Sequence, residues 1–278
     1  MRTLAKRFIT SHPLVAFFAL TFALAWSIWI PVGLLAPDLL LVAALPGAWA
    51  PTLSAVFVTA VTEGRPGLRA IAAGLKRWRI GALWYVVVLF GVAFIALAAT
   101  GLNAVLGGDV SPPSLPAGVP GAWWPVALPI IFLVNVFVGG PLAEDVGWRG
   151  FAVPRLLRDT TGLNAGLIVG GLWALWHAPF YFVPGAASVT GGVPFVWFAP
   201  LTVAWSVLFA WVYVNTQSIL LPVLFHAAIN TALGSLGLLG QKSGDLTAMM
   251  INVALTWIVV VAIVAVCGPG LRVRLSRV

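Results

Sequence analysis

GALWYVVVLFGVAFIALAATGLNAVL, residues 81–106, contains no Asp, Glu, Lys, Arg or His. About 20 apolar residues in a helix cross the hydrocarbon core of a bilayer, so this stretch is long enough to span by itself. Seven further apolar stretches lie on either side of it, near 13–35, 39–62, 122–145, 163–183, 194–214, 218–239 and 247–267. Pro and Gly mark the turns between them, as in Gly107-Gly108-Asp109, Ser111-Pro112-Pro113, Pro120-Gly121, Pro184-Gly185 and Gly191-Gly192. The expected fold is therefore all-α, a polytopic membrane bundle of about eight transmembrane helices.

Composition agrees. Apolar residues make up 61% of the 278, charged residues 8%, and mean hydropathy is +1.06. Soluble domains have about 45–50% and 25%, and a chain this poor in polar side chains cannot cover a water-facing surface. The single cysteine, Cys267, excludes an intrachain disulfide, and Cys-x-x-Cys or Cys/His clusters are absent from the sequence. A net charge of +8 in a soluble chain would suggest nucleic acid. Here the basic residues segregate instead. Arg2, Lys6 and Arg7 precede the first span, and Arg65, Arg69, Lys76, Arg77 and Arg79 separate the second from the third. Arg149, Arg155 and Arg158 follow the fourth, and Arg272, Arg274 and Arg277 close the chain. With eight spans and both termini cytoplasmic these all fall on one side, as the positive-inside rule requires, and only Lys242 is left outside. Nucleic acid drops out as a partner, and the expected location is the cell membrane. Arg2, Lys6 and Arg7 before an apolar run ending near Ala23-Leu24-Ala25 also have the form of a signal peptide, but the run continues to Leu35, which fits an uncleaved helix.

Charges inside spans are costly and mark function by default. The first three spans have none in their interiors. The fourth carries Glu144, Asp145 and Arg149 in Pro141-Leu142-Ala143-Glu144-Asp145-Val146-Gly147-Trp148-Arg149. The fifth carries His177, and the seventh His226 and Asn230. At 1.5 Å per residue, Glu144, His177, His226 and Asn230 sit roughly 14–22 Å from the cytoplasmic ends of their helices, near mid-membrane on three different helices. Gly139-Gly140-Pro141 would interrupt the fourth helix just before Glu144, and Pro179 would free the Leu175 carbonyl beside His177. Gly162, Gly166 and Gly170 give the fifth helix a smooth face for close packing. Taken singly, either histidine reads as an interhelical hydrogen-bonder, Arg149 as a snorkelling anchor, and Trp173 with Trp176 as packing. Convergence at one depth is what those separate readings leave unexplained.

At these residues the sequence resembles the CAAX protease and bacteriocin-processing (CPBP, Abi) family of intramembrane proteases. That family is marked by Glu-Glu-x-x-x-Arg, Phe-x-x-x-His and His-x-x-x-Asn or Asp. Here the motifs are Glu144-Asp145 to Arg149, Trp173 to His177, and His226 to Asn230, with Asp145 in place of the second Glu and Trp173 in place of Phe. The resemblance covers residues 141–230 and implies an intramembrane endopeptidase acting on a membrane-associated or lipidated peptide or protein; eukaryotic members remove the C-terminal tripeptide of prenylated proteins. By it, Glu144 and His177 would activate a water, His226 and Asn230 would bind the oxyanion, and Asp145 and Arg149 would support them. Residue chemistry is compatible: a carboxylate in a low dielectric is a stronger base than in water, and preset donors are worth most where water is scarce.

On this reading residues 1–278 form one membrane domain. Residues 1–121 are scaffold, 122–239 the catalytic core, and 247–278 the last helix and basic tail. No cofactor is expected, with zinc on Glu144, His177 and His226 as the metal-dependent alternative. A transporter or proton relay would use the same buried groups, though the clustering of charges after residue 140 lacks the matched halves of transporter repeats. A catalytically silent scaffold is the third reading.

Overall fold

A computed structural model describes residues 4–110, 119–237 and 246–273. Arg2, Ser111-Pro112-Pro113, Lys242, Arg274 and Arg277 lie outside these ranges. The regular structure of the described residues is helical, with no strand among them. In chain order the helices are α1 Leu4–Ser11, α2 Pro13–Leu35, α3 Leu40–Ala48, α4 Ala50–Thr62, α5 Gly64–Leu75, α6 Ala82–Val105, α7 Trp124–Phe137 and α8 Pro141–Gly147. They continue as α9 Val153–Leu156, α10 Gly162–Trp176, α11 Pro179–Phe182, α12 Ala187–Thr190, α13 Phe195–Thr216, α14 Leu220–Ile229 and α15 Thr247–Cys267. Two π-helical turns, Trp148–Ala152 and Asn230–Ser235, follow α8 and α14.

The protein is a multi-pass integral membrane protein. Among the described residues five segments are long and apolar enough to cross a membrane: Pro13–Leu35, Pro37–Thr62, Ala82–Val105, Phe195–Thr216 and Thr247–Cys267. The pair Gly121–Phe137 and Pro141–Leu156, bent by 42°, makes a sixth if counted as one span. The other two expected spans are shorter. Gly162–Trp176 rises only about 22 Å against a core of about 30 Å, and Leu220–Ser235 is of similar length. By length alone the count is thus five or six, and the two short helices are the ones that carry His177 and His226.

Proline explains most of the breaks. Pro51, in the first turn of α4, cannot donate to the preceding turn, and the chain breaks at Trp49. Pro179 likewise ends α10, but the Leu175 carbonyl expected to be freed accepts instead from Ala178 N at 2.9 Å in a tightened last turn. The start of α10 is capped by the Thr161 hydroxyl, which accepts from Asn164 N.

Helix α13 is the centre of the bundle: 56% of its most apolar window is buried, against 22% for α6 and α15 at the periphery. Helix α10 lies along α13 because its glycines allow it. A Cβ on Gly166 or Gly170 would fall 2.8 Å from the Cα of Val207 or Val203, so backbones meet where side chains would hold them apart. Gly162, the third of the expected stripe, packs against the Gly270 carbonyl instead. Helix α2 packs on α3 and α4, α8 on α4, and α14 on α6, α7 and α8.

Candidate active site

The site begins at the break in the fourth apolar segment. Gly140 has φ +104°, a conformation that L side chains avoid. A Cβ there would also lie 2.6 Å from Glu144 Oε1, so only glycine leaves that oxygen open. Pro141 then starts α8 in the first-turn position where its missing N–H costs nothing. One turn on, Glu144 N donates to the Gly140 carbonyl at 2.8 Å, and the carboxylate is brought to the mouth of the break.

Glu144, His177, His226 and Asn230 all line one cavity of about 550 Å³. They reach it from α8, the C-terminal end of α10, α14 and the start of the second π-helical turn. Asp145 and Arg149 do not line it. They lie fully buried behind it, where Arg149 Nη1 donates to Asp145 Oδ1 at 2.6 Å. The other oxygen, Asp145 Oδ2, accepts from His226 Nδ1 at 3.0 Å. Asp145 therefore bridges a buried cation and a cavity-lining imidazole. The guanidinium also lies 4.2 Å from the Trp173 ring centroid and 4.1 Å from that of Phe209, a cation–π setting for a charge with little other solvation. Read alone, Arg149 suggested an interfacial anchor; the fold encloses it completely.

Each cavity-lining group is held. Trp173 Nε1 donates to Glu144 Oε2 at 2.7 Å. His177 Nδ1 lies 2.8 Å from the Trp173 carbonyl, and because a carbonyl only accepts, Nδ1 carries the proton. Neutral His177 then keeps its lone pair on Nε2. Asn230 Nδ2 donates to the Gly139 carbonyl at 3.0 Å, tying the second π-helical turn to the break. Asn135 Nδ2 makes a parallel tie to Thr231 Oγ1 and Ser235 Oγ at 3.0 and 3.2 Å. Such π-helical turns recur at functional sites because they re-aim side chains.

Most of the remaining cavity wall is apolar, with Asn135, Tyr181, Thr190, Thr202 and Ser235 among its polar members, and part of it comes from the first 121 residues. Trp29, Leu41, Ala44, Leu45 and Ala48 line it, together with Phe180, Leu201 and Phe198, whose ring centroid lies 5.1 Å from that of His177. The N-terminal segment thus shapes the cavity as well as supporting it. Nothing in its composition marked those residues, since their apolar character is that of any membrane helix.

Among the described residues no group of three or more His, Cys, Asp or Glu side chains is placed to hold an ion. Glu144 Oε2 and His226 Nδ1 are engaged by Trp173 and Asp145, which leaves Glu144 Oε1 and the Nε2 atoms of His177 and His226 for the cavity chemistry. Trp173 and Asn135 are the site residues that the motif reading undervalued. For Trp173 the signal was present, since it opens the motif that ends at His177; Asn135 carried none.

Residues 123–232 match the family model described as type II CAAX prenyl endopeptidase, Rce1-like. Among curated proteins, the CAAX prenyl protease 2 of Methanococcus maripaludis is 28% identical over 108 residues, which is 37% of this chain and 39% of that protein. The chain thus matches about two fifths of the relative's length. The matched stretch contains all three motifs.

Proposed function

We propose, for a chain that belongs through residues 123–232 to the CAAX protease and bacteriocin-processing family, that it hydrolyses a peptide bond of a prenylated or otherwise lipid-modified substrate inside the membrane. The observation that carries this is the convergence of Glu144, His177, His226 and Asn230 from separate elements on one cavity whose remaining lining is mostly apolar. A cavity of that kind suits a peptide carrying a hydrocarbon chain, with the peptide at the polar end.

The chemistry follows from the hydrogen bonds. Glu144 takes a proton from a water that also donates to His177 Nε2, and the hydroxide formed attacks the scissile carbonyl carbon. The new C–O bond moves the carbonyl π electrons onto oxygen. His226 and the second N–H of Asn230 are the oxyanion donors. Because His226 Nδ1–H is directed at Asp145, its Nε2 donates only when the ring carries both protons, and Asp145 is the counter-charge for that form. With Arg149 cationic, two carboxylates then face two cations, and the buried cluster is neutral. Collapse of the intermediate breaks the C–N bond, and the proton held on Glu144 leaves with the amine.

The test is cleavage of a farnesylated CAAX peptide by the purified protein in detergent, with the unprenylated peptide as comparison. Release of the C-terminal tripeptide from the prenylated peptide alone is expected. Activity should survive exhaustive chelation, because the base is Glu144. Loss on chelation with recovery on adding zinc would reassign Glu144, His177 and His226 as ligands.

Sidedness belongs to the same proposal, with the basic loops on the cytoplasmic face. Reporters fused after Lys76 and Arg158 should read cytoplasmic, and those after Gly108 and Gly191 external. A reversed reading at any one of these four positions would break the eight-span arrangement.

A further inference from the structure

From the geometry around Glu144 we infer that Trp173 is a positioning residue, whose indole N–H fixes the carboxylate in the orientation from which it takes water's proton. The inference rests on the glutamate-base reading and deepens it.

Glu144 has reason to wander. It stands in the first turn of a seven-residue helix that follows a glycine pair, and its side chain has three rotatable bonds. Among the described residues, the only donor to its carboxylate is Trp173 Nε1, at 2.7 Å and 29 positions along the chain. Both partners are buried, at 3% and 6% exposure, so water does not replace this bond cheaply. The other carboxylate oxygen lies beside Gly140, where no side chain obstructs it. One oxygen is thus held and the other left open, which is the division a positioned general base needs.

Trp173 is itself fixed on several sides. Its ring packs against the Arg149 guanidinium and lies edge-on to the His226 and His177 rings, with centroids 5.2 and 5.7 Å apart. Its carbonyl accepts from His177 Nδ1. The same residue therefore orients both partners in water activation, Glu144 through the indole and His177 through the backbone. Phenylalanine, the residue usual in the motif this chain resembles, could supply the ring and the carbonyl but not the N–H. The departure at 173 is not a neutral aromatic exchange.

Trp173→Phe isolates the N–H, because the ring facing Arg149 and the carbonyl facing His177 are both retained. In steady-state cleavage of the farnesylated peptide, kcat should fall about 10- to 100-fold, the scale of one hydrogen bond to a charged group, with KM within about twofold of wild type. A residue that only packed would lower the melting temperature and leave kcat per folded molecule unchanged. If Trp173→Phe fails to fold, benzothienylalanine at 173, which keeps the indole shape and has sulfur in place of N–H, should give the same kcat loss. A kcat within twofold of wild type in whichever of these two variants folds overturns the inference. Glu144→Gln, run alongside, keeps the two failures apart: a dead Glu144→Gln with a fully active Trp173→Phe removes only the role of Trp173, whereas an active Glu144→Gln removes the glutamate-base reading itself.

Discussion

Glu144→Gln should yield a folded protein that binds substrate and turns over none of it at a detectable rate. The amide keeps the shape of the side chain and an acceptor for Trp173 Nε1, so the hydrogen bond at 2.7 Å in the wild type has a counterpart in the variant. What is lost is the ability to accept water's proton, and among the described residues no other carboxylate lines the cavity to replace it. His177→Ala should be comparably severe, because it removes the second partner of the water. Asn230→Ala should be milder. One oxyanion donor is worth about 10²–10³ in rate, and Asn230 also holds the Gly139 carbonyl, so part of its effect will appear as lower stability. Single-turnover cleavage in detergent reads the order, with thermal melting as the folding control. A folded Glu144→Gln protein that cleaves at near wild-type rate would remove the glutamate-base reading and favour transport or scaffolding.

The second large effect is expected on stability. Asp145→Ala should destabilise the protein by about 3–5 kcal/mol, the cost of removing one partner from a buried ion pair. Arg149 is 0% exposed, and among the described residues Asp145 supplies its only ion pair, with Nε and Nη2 lacking a hydrogen-bond partner. The uncompensated guanidinium, more than the missing carboxylate, accounts for the loss. Asp145→Ala with Arg149→Met should therefore be more stable than Asp145→Ala alone, because the stranded charge is gone. Denaturant unfolding in detergent compares the two, and a double variant no more stable than the single would show that the pair does not control stability. Neither should recover full activity, since both leave His226 Nδ1 without its acceptor. Asp145→Asn keeps one acceptor oxygen and forfeits the other, so it should remain gentler on turnover than Glu144→Gln.

The break at Gly139-Gly140-Pro141 was legible before any coordinates, because proline and paired glycine act locally. The fate of the Leu175 carbonyl was not. A missing donor at Pro179 predicts an orphan acceptor, but which neighbour satisfies it depends on how the last turn of α10 tightens, and Ala178 supplies the N–H. Arg149 failed as a solitary reading for a related reason. A long basic side chain near a helix end snorkels only if a path to the interface is open, and here Trp173 and Phe209 close it.

The sequence by itself determined the all-helical membrane architecture, since runs of apolar residues in a bilayer leave the backbone no other way to satisfy its hydrogen bonds. It also determined which few polar residues stand out, because ionisable groups in apolar spans are rare enough to be conspicuous singly. Only the tertiary structure decided how they are paired. Asp145 and Arg149 lie behind the cavity and Glu144 in its wall, though all three share one short stretch of chain. Trp173 reaches Glu144 across 29 residues, and Trp29 and Leu41 join the same cavity wall from the N-terminal part of the sequence. Spacing along a helix fixes which residues share a face, but the partner that face meets is set by the packing of the other helices.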